Sequence, residues 1–258
     1  MAADDFWLEC VDASRQSLEG SLEVMWPVRF EDGLPVRELP SFKGQRNFTG
    51  WYWSATRSAH VGYESWLERD HVMRLDFDSQ VTAVVSQPFR LSWRGPGDGR
   101  RVRHTPDYFV RRSDGSGLVV DVRPDERIPE EDAAKFAATA AACARVGWDF
   151  ERVGELDPVY GANLRWLAGY RHPRVLRSID ADALLKVFAQ ERGLLDGARA
   201  VGDPIAVLPV LYHLLWRQDL VTDLHGGLLS AATRVGPAAK CWTGVRRDAL
   251  ASARAVGG

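Results

Sequence analysis

The stretch LVVDVRPDERIP, residues 118–129, decides how the first half of the chain is read. Its apolar run ends on alternating charge, Asp121, then Val122, then Arg123. An acid two residues ahead of a base, at the end of a buried strand, is either a chemical site or an ordinary exit into solvent. What lies on either side has to decide between the two.

Downstream, PEEDAAKFAATAAACARVGW opens with Pro129 and three acids, which suit a helix N-terminus, and continues in strong helix formers up to Gly147. WDFERV then reads as a strand. Upstream, VTAVVSQPF, RLSW and RVRHTPDYFVRR read as strands separated by the turn-rich GPGDG, and SDGSG turns the chain into LVVDVR. Before them, YESWLERDHVMRLDF carries Tyr63, Trp66, Leu67 and Met73 at helical spacing. Helix, antiparallel strands, helix, strand is the order of an α/β fold of layered α+β type, over about residues 62–154.

The bulk numbers fit a soluble globular protein. The 258 residues are 45% hydrophobic and 26% charged, with a formal net charge of -2. That charge gives no global attraction to nucleic acid, so any DNA contact must come from a local basic surface. Cys10, Cys143 and Cys241 match no zinc, haem or disulfide spacing, and the six histidines have no metal-binding spacing. The start MAADDFWLEC lacks a signal-peptide pattern and no window approaches a membrane span, so a cytoplasmic protein is expected. Ten scattered tryptophans are expected to be core anchors.

The acids carry the chemistry. Glu64 and Glu68 are four apart on the expected helix and share a face. If the strands flanking SDGSG pair as a hairpin, Asp107 and Asp121 approach one another at the ends away from the turn. Three carboxylates gathered there suit Mg²⁺ or Mn²⁺, hard cations that take oxygen ligands, bind a scissile phosphate and acidify an attacking water. Arg123 is a fixed positive charge for the developing phosphorane. A guanidinium stays protonated, so it is no proton acceptor.

The ordered set YESWLERD, SQPF, HTPDYFV, LVVDVRP and DERIPEEDAAKF resembles the PD-(D/E)xK, restriction-endonuclease-like nuclease core. Within it, the set is similar to the TnsA-type endonuclease subunit of heteromeric transposases, over about residues 45–155. The resemblance implies a helix glutamate at Glu68, with Glu64 as the alternative, the PD aspartate at Asp107, the last motif acid at Asp121, and the catalytic lysine's place at Arg123. Lys135, on the next helix, is a possible source of the missing amine. It further implies a Mg²⁺-dependent endonuclease cutting DNA at transposon ends, with a DDE transposase subunit and an ATP-dependent regulator as partners. Two alternatives stand beside it: a nuclease-fold DNA-binding or assembly protein weakened by the lost lysine, and a stand-alone defence or repair nuclease.

The expected domains are a β-rich extension over 1–60, the nuclease domain over 61–160, and a winged-helix-like domain over 170–258, with a linker near 155–175. The last rests on NLRWLAGYRHPR, DADALLKVFAQERG and DPIAVLPVLYHLLWRQDL as helices, followed by a tight hairpin around Gly226-Gly227. Those helices carry few basic residues, which favours protein docking over major-groove reading. Arg101 and Arg103, beside the site, and Arg171, Arg174 and Arg177 are candidate DNA contacts. Arg101 and Arg103 also read as an exposed edge that deters aggregation, and Arg171, Arg174 and Arg177 as contacts to an acidic partner.

Overall fold

Chain order in the first unit, which ends at Asp157, runs β1 (Trp7–Val11), β2 (Ser17–Ser21), α1 (Leu22–Met25), β3 (Gly50–Ser54), β4 (Ala59–Tyr63), α2 (Trp66–Phe77), β5 (Val81–Ser86), β6 (Arg90–Arg94), β7 (Arg101–His104), β8 (Tyr108–Arg112), β9 (Gly117–Val122), α3 (Glu130–Arg145) and β10 (Asp149–Val153). The computed structural model describes residues 6–39, 47–95, 100–126 and 128–238. Every residue of β9 is buried, the signature of an interior strand covered on both faces.

Around β9 the central sheet has the order β10-β9-β8-β5. β8 and β9 are antiparallel, with Tyr108 opposite Val120 and Arg111 opposite Gly117. Their turn needs Gly115, whose φ of 85° favours glycine. β9 and β10 are parallel, and α3 is the crossover between them, as parallel neighbours require. The three acids of its first turn favour the positive end of the helix, and Gly147, at φ 73°, lies just past its other end.

RVRHTPDYFVRR is two strands rather than one. β7 belongs to a second sheet, β2-β1-β6-β7, whereas β8 belongs to the central one, and the chain changes sheets across Thr105–Asp107. The main core lies between these sheets and α3. Phe30 packs edge-on against Phe89, Phe109 and Trp148, and Leu8, Leu91, Val119 and Cys143 complete the cluster. Residues 6–39 therefore contribute strands and core to the same unit as the later elements. On the other side, α2 packs on β3, β4 and β5 and buries Val72 and Leu75. Its Asp76 accepts hydrogen bonds from the Tyr52 and Ser54 hydroxyls and the Ala55 and Thr56 amides, tying the β3–β4 hairpin to the helix.

Expectations and structure part at the start of α2. Tyr63 closes β4, and Ser65 is the helix cap, so Glu64 precedes the helix instead of sharing a face with Glu68. The tryptophans divide: Trp93, Trp148 and Trp216 are buried, but Trp7, Trp26, Trp51, Trp66 and Trp166 are exposed.

The second unit, from Pro158, contains α4 (Pro158–Ala168), α5 (Ser178–Val187), β11 (Arg192–Gly193), α6 (Leu194–Val201), α7 (Pro204–Trp216), β12 (Leu220–Val221) and β13 (Arg234–Pro237). A three-stranded sheet of order β11-β13-β12 joins them. The stretch expected as a linker thus contains α4. The hairpin around Gly226-Gly227 is not tight, because residues 222–233 separate the paired strands β12 and β13. Asn163 organises that loop: its side chain donates to the Leu224 and Gly227 carbonyls and accepts from the Leu229 amide. Cys241 lies outside the described residues. No helix among the described residues is long and apolar enough to cross a membrane.

Candidate active site

The β8–β9 hairpin brings Asp107 and Asp121 together at the ends away from its turn. Asp107 precedes β8, and its Oδ2 accepts from the Val122 amide at 2.7 Å. Asp121 is buried on β9, with Oδ2 at 2.8 Å from His104 Nε2. Glu68 approaches from α2, whose Glu68 carbonyl lies 3.4 Å from the hydroxyl of Tyr108, the residue next to Asp107.

The electrostatics record this proximity. Burial, then the charges of Glu68 and Asp121, push the Asp107 carboxyl well above the usual carboxylate range. Burial also raises Glu68, against the hydrogen bonds that lower it. Carboxylates crowded in this way destabilise one another unless a proton or a cation joins them.

Glu68 also has a structural task. Ser65 Oγ accepts from the Glu68 amide at 3.1 Å and donates to Glu68 Oε1 at 3.0 Å, while Glu68 Oε2 accepts from the Glu64 amide at 2.7 Å. This is a capping box, serine at the cap and glutamate three residues on. Its signature stands in the sequence as Ser65-Trp66-Leu67-Glu68. Glu64 is paired with Arg37 Nη1 at 2.7 Å and accepts from the Gln87 side chain, while its charge also acts on Glu68 and Asp107.

Arg123 is half exposed and turns to α3, where its Nη2 meets Asp132 Oδ2 at 3.1 Å. Lys135 Nζ lies 3.6 Å from the same carboxylate and 2.7 Å from Glu131. The Glu131 hydrogen bond holds Lys135 above the ordinary lysine range. It is a second cation beside Arg123 and not a proton acceptor. In the sequence His104 only closes the basic run Arg100 to His104, a candidate phosphate contact, with no sign of a carboxylate partner. It lies 17 positions before Asp121, on a strand of the other sheet, and nothing in its spacing signals the pair. Its ring also meets Phe136 of α3 edge-on at 6.1 Å.

Of the candidate DNA contacts, Arg101 and Arg103 project from β7, the edge of its sheet, with Arg101 Nε donating to Ser92 Oγ at 3.0 Å. In the second unit Arg171 bonds the Ala168 carbonyl, Arg177 the Ala206 carbonyl, and Arg174 is exposed.

No three His, Cys, Asp or Glu side chains among the described residues stand in a ready metal-ligating arrangement. The donor types nevertheless suit a hard cation. Among the described residues, Oδ1 of Asp107 and Oδ1 of Asp121 have no hydrogen-bond partner, and the charge crowding on Asp107 is what a cation relieves.

A mixed sheet flanked by helices, with acids gathered at the ends of two adjacent strands, is consistent with a nuclease fold. Residues 78–155 match the family described as TnsA-like endonuclease N terminal. That segment is therefore similar to a TnsA-like endonuclease N-terminal domain. The matched span holds Asp107, Asp121, Arg123 and Lys135 and leaves Glu64 and Glu68 outside it. No curated protein matches the chain.

Proposed function

We propose that this protein is a metal-dependent DNA endonuclease that hydrolyses phosphodiesters at transposon ends, as the nuclease subunit of a heteromeric transposase. The approach of Asp107 and Asp121 at the ends of β8 and β9, with Glu68 near enough to help raise the Asp107 carboxyl, is the observation that carries it. Asp107 and Asp121 would hold Mg²⁺ or Mn²⁺ through their unengaged oxygens, with Glu68 joining if it leaves its capping box and Glu64 as the alternative. The ion would supply Lewis acidity to the phosphate and a more acidic bound water.

The remaining steps belong to the chain. His104 holds the buried Asp121 carboxylate in place. Arg123, just past the end of β9, and Lys135, gathered with it on Asp132, stabilise negative charge developing on the phosphate once drawn off that carboxylate. Neither takes the proton from water. Arg101 and Arg103, on the edge strand next to His104, position the DNA backbone.

The second unit supports an assembly role. Its order α5, β11, α6, α7, β12, β13 with sheet β11-β13-β12 supports a winged-helix reading of this unit. α7 would be its reading helix, but it has no Lys or Arg between Pro204 and Trp216, a poor footprint for DNA. A DDE transposase subunit or an ATP-dependent regulator is the partner proposed, in the cytoplasm.

A nuclease-fold assembly protein without strong cleavage is the second reading, favoured by Arg123 in place of lysine and by Glu68 serving as a cap. Nicking of plasmid DNA carrying transposon ends, with Mg²⁺ or Mn²⁺ and candidate partners, separates them. The expected result is metal-dependent nicking by the wild type and none by Asp107→Ala. Absence of nicking by the wild type under those conditions would overturn the enzyme reading.

A further inference from the structure

Beside the candidate site lies an aromatic surface that neither the core nor the proposed chemistry uses. Trp66, the first residue of α2, is 48% exposed, and Phe48 is 63% exposed. Their ring centroids are 5.5 Å apart. Tyr63, at the end of β4, stacks on Trp66 at 6.3 Å with planes 29° apart. The guanidinium of Arg69 lies over the Trp66 ring, 4.2 Å from its centroid. Leaving such rings in water forfeits burial energy, and contiguous exposed apolar surface of this kind marks a binding site.

We propose that Phe48, Tyr63, Trp66 and Arg69 form a stacking platform for unpaired nucleobases, so that the substrate is DNA frayed or single-stranded beside the scissile phosphate. This rests on the nuclease reading for the position of that phosphate. Aromatic faces combined with an arginine in cation–π contact are the chemistry that holds unpaired bases without regard to sequence. Tyr63 and Trp66 flank the Ser65 cap of α2, and the first turn of that helix also holds Glu68, so the rings and the candidate acid share one helix end although Trp66 and Glu68 face different sides of it. A duplex buries its base faces in its own stack, save those of the two terminal pairs, and along its length offers the platform only edges. The platform lies outside the span matched to the endonuclease family.

The test uses the full chain in EDTA, with a short dT oligonucleotide carrying 2-aminopurine and a blunt duplex of equal length. The single strand is expected to bind more tightly than the duplex and to show stacked 2-aminopurine fluorescence. Trp66→Ala and Phe48→Ala each weaken single-strand binding by roughly five- to a hundred-fold. Trp66→Phe, which keeps the ring and the fold, retains most of it. Trp51→Ala is the control: Trp51 is exposed too, but strand alternation puts it on the opposite face of the hairpin from Tyr63. Equal binding by wild type and both alanine variants, or no 2-aminopurine response, overturns the proposal. So does a Trp66→Ala defect confined to partner-dependent nicking, which would make the surface a protein contact. Plasmid nicking by the wild type, measured in parallel, separates the two ideas: nicking without base stacking leaves the nuclease and removes the platform, and stacking without nicking does the reverse.

Discussion

Asp107 is the residue at which proposed function and stability oppose each other. Its carboxyl is raised by burial and by Glu68 and Asp121, so without metal the folded state penalises the charged form more than the unfolded state does. A carboxyl whose folded pKa lies above its unfolded value stabilises the fold fully only below the unfolded pKa, about 3.9, and that contribution is lost as pH rises through the folded value. At neutral pH the charge is therefore a liability. Asp107→Asn keeps an oxygen for the Val122 amide and removes the charge. The variant is expected to melt a few degrees above the wild type by calorimetry in EDTA and to have no nicking activity. Mg²⁺ should raise the melting temperature of the wild type and leave the variant's unchanged. A lower melting temperature for the variant would mean that the carboxylate is held by interactions that outweigh the crowding.

At the scale of elements, the α2 cap couples a stability device to the candidate site. Ser65→Ala removes the acceptor for the Glu68 amide and a donor to the Glu68 carboxylate. The loss of such a cap is worth about 1 kcal/mol. If Glu68 works best when released, the variant unfolds at lower urea yet nicks at an equal or higher rate. A fall in nicking with no change in the urea midpoint would instead make Ser65 part of the chemistry. The capping box, serine followed three residues later by glutamate, was masked in the sequence by apolar spacing that carries the helical pattern back to Tyr63, whereas β9, α3 and β10 were legible, through an uninterrupted apolar run, an acidic first turn after Pro129, and Gly147. The sheet change within RVRHTPDYFVRR was not, because both halves suit a strand and only tertiary pairing sends β7 to one sheet and β8 to the other. Nor was α6, whose eight residues between Gly193 and Gly202 span too few turns for periodicity to register. Asp107 and Asp121 could be brought together on paper because one hairpin does it. His104 could not, because its partner is reached across two sheets.

The whole molecule is two units, each with its own buried histidine, and this sets its behaviour in acid. In the first, His71 of α2 bonds the Gly154 carbonyl through Nε2 at 2.6 Å, and burial pulls its pKa down to about 4. In the second, His213 of α7 bonds the Tyr170 carbonyl through Nδ1 at 2.7 Å, and burial lowers it too. Burial favours the neutral ring in both, whereas an unfolded histidine takes its proton near 6.5. Below that pH the unfolded state binds more protons, so stability is fully present above 6.5 and is lost as pH falls. For His71 the loss continues down to about pH 4, at about 1.4 kcal/mol per pH unit, or roughly 3 kcal/mol in all. Calorimetry of the full chain between pH 7 and pH 4 should show the transition of each unit moving down in temperature. His71→Gln, whose amide can still donate to the Gly154 carbonyl, should flatten the response of the first unit in the upper part of that window and leave the second unit's slope unchanged; His213→Gln should do the converse. If either substitution flattens both transitions equally, the units do not unfold independently, and the acid response belongs to a single cooperative molecule.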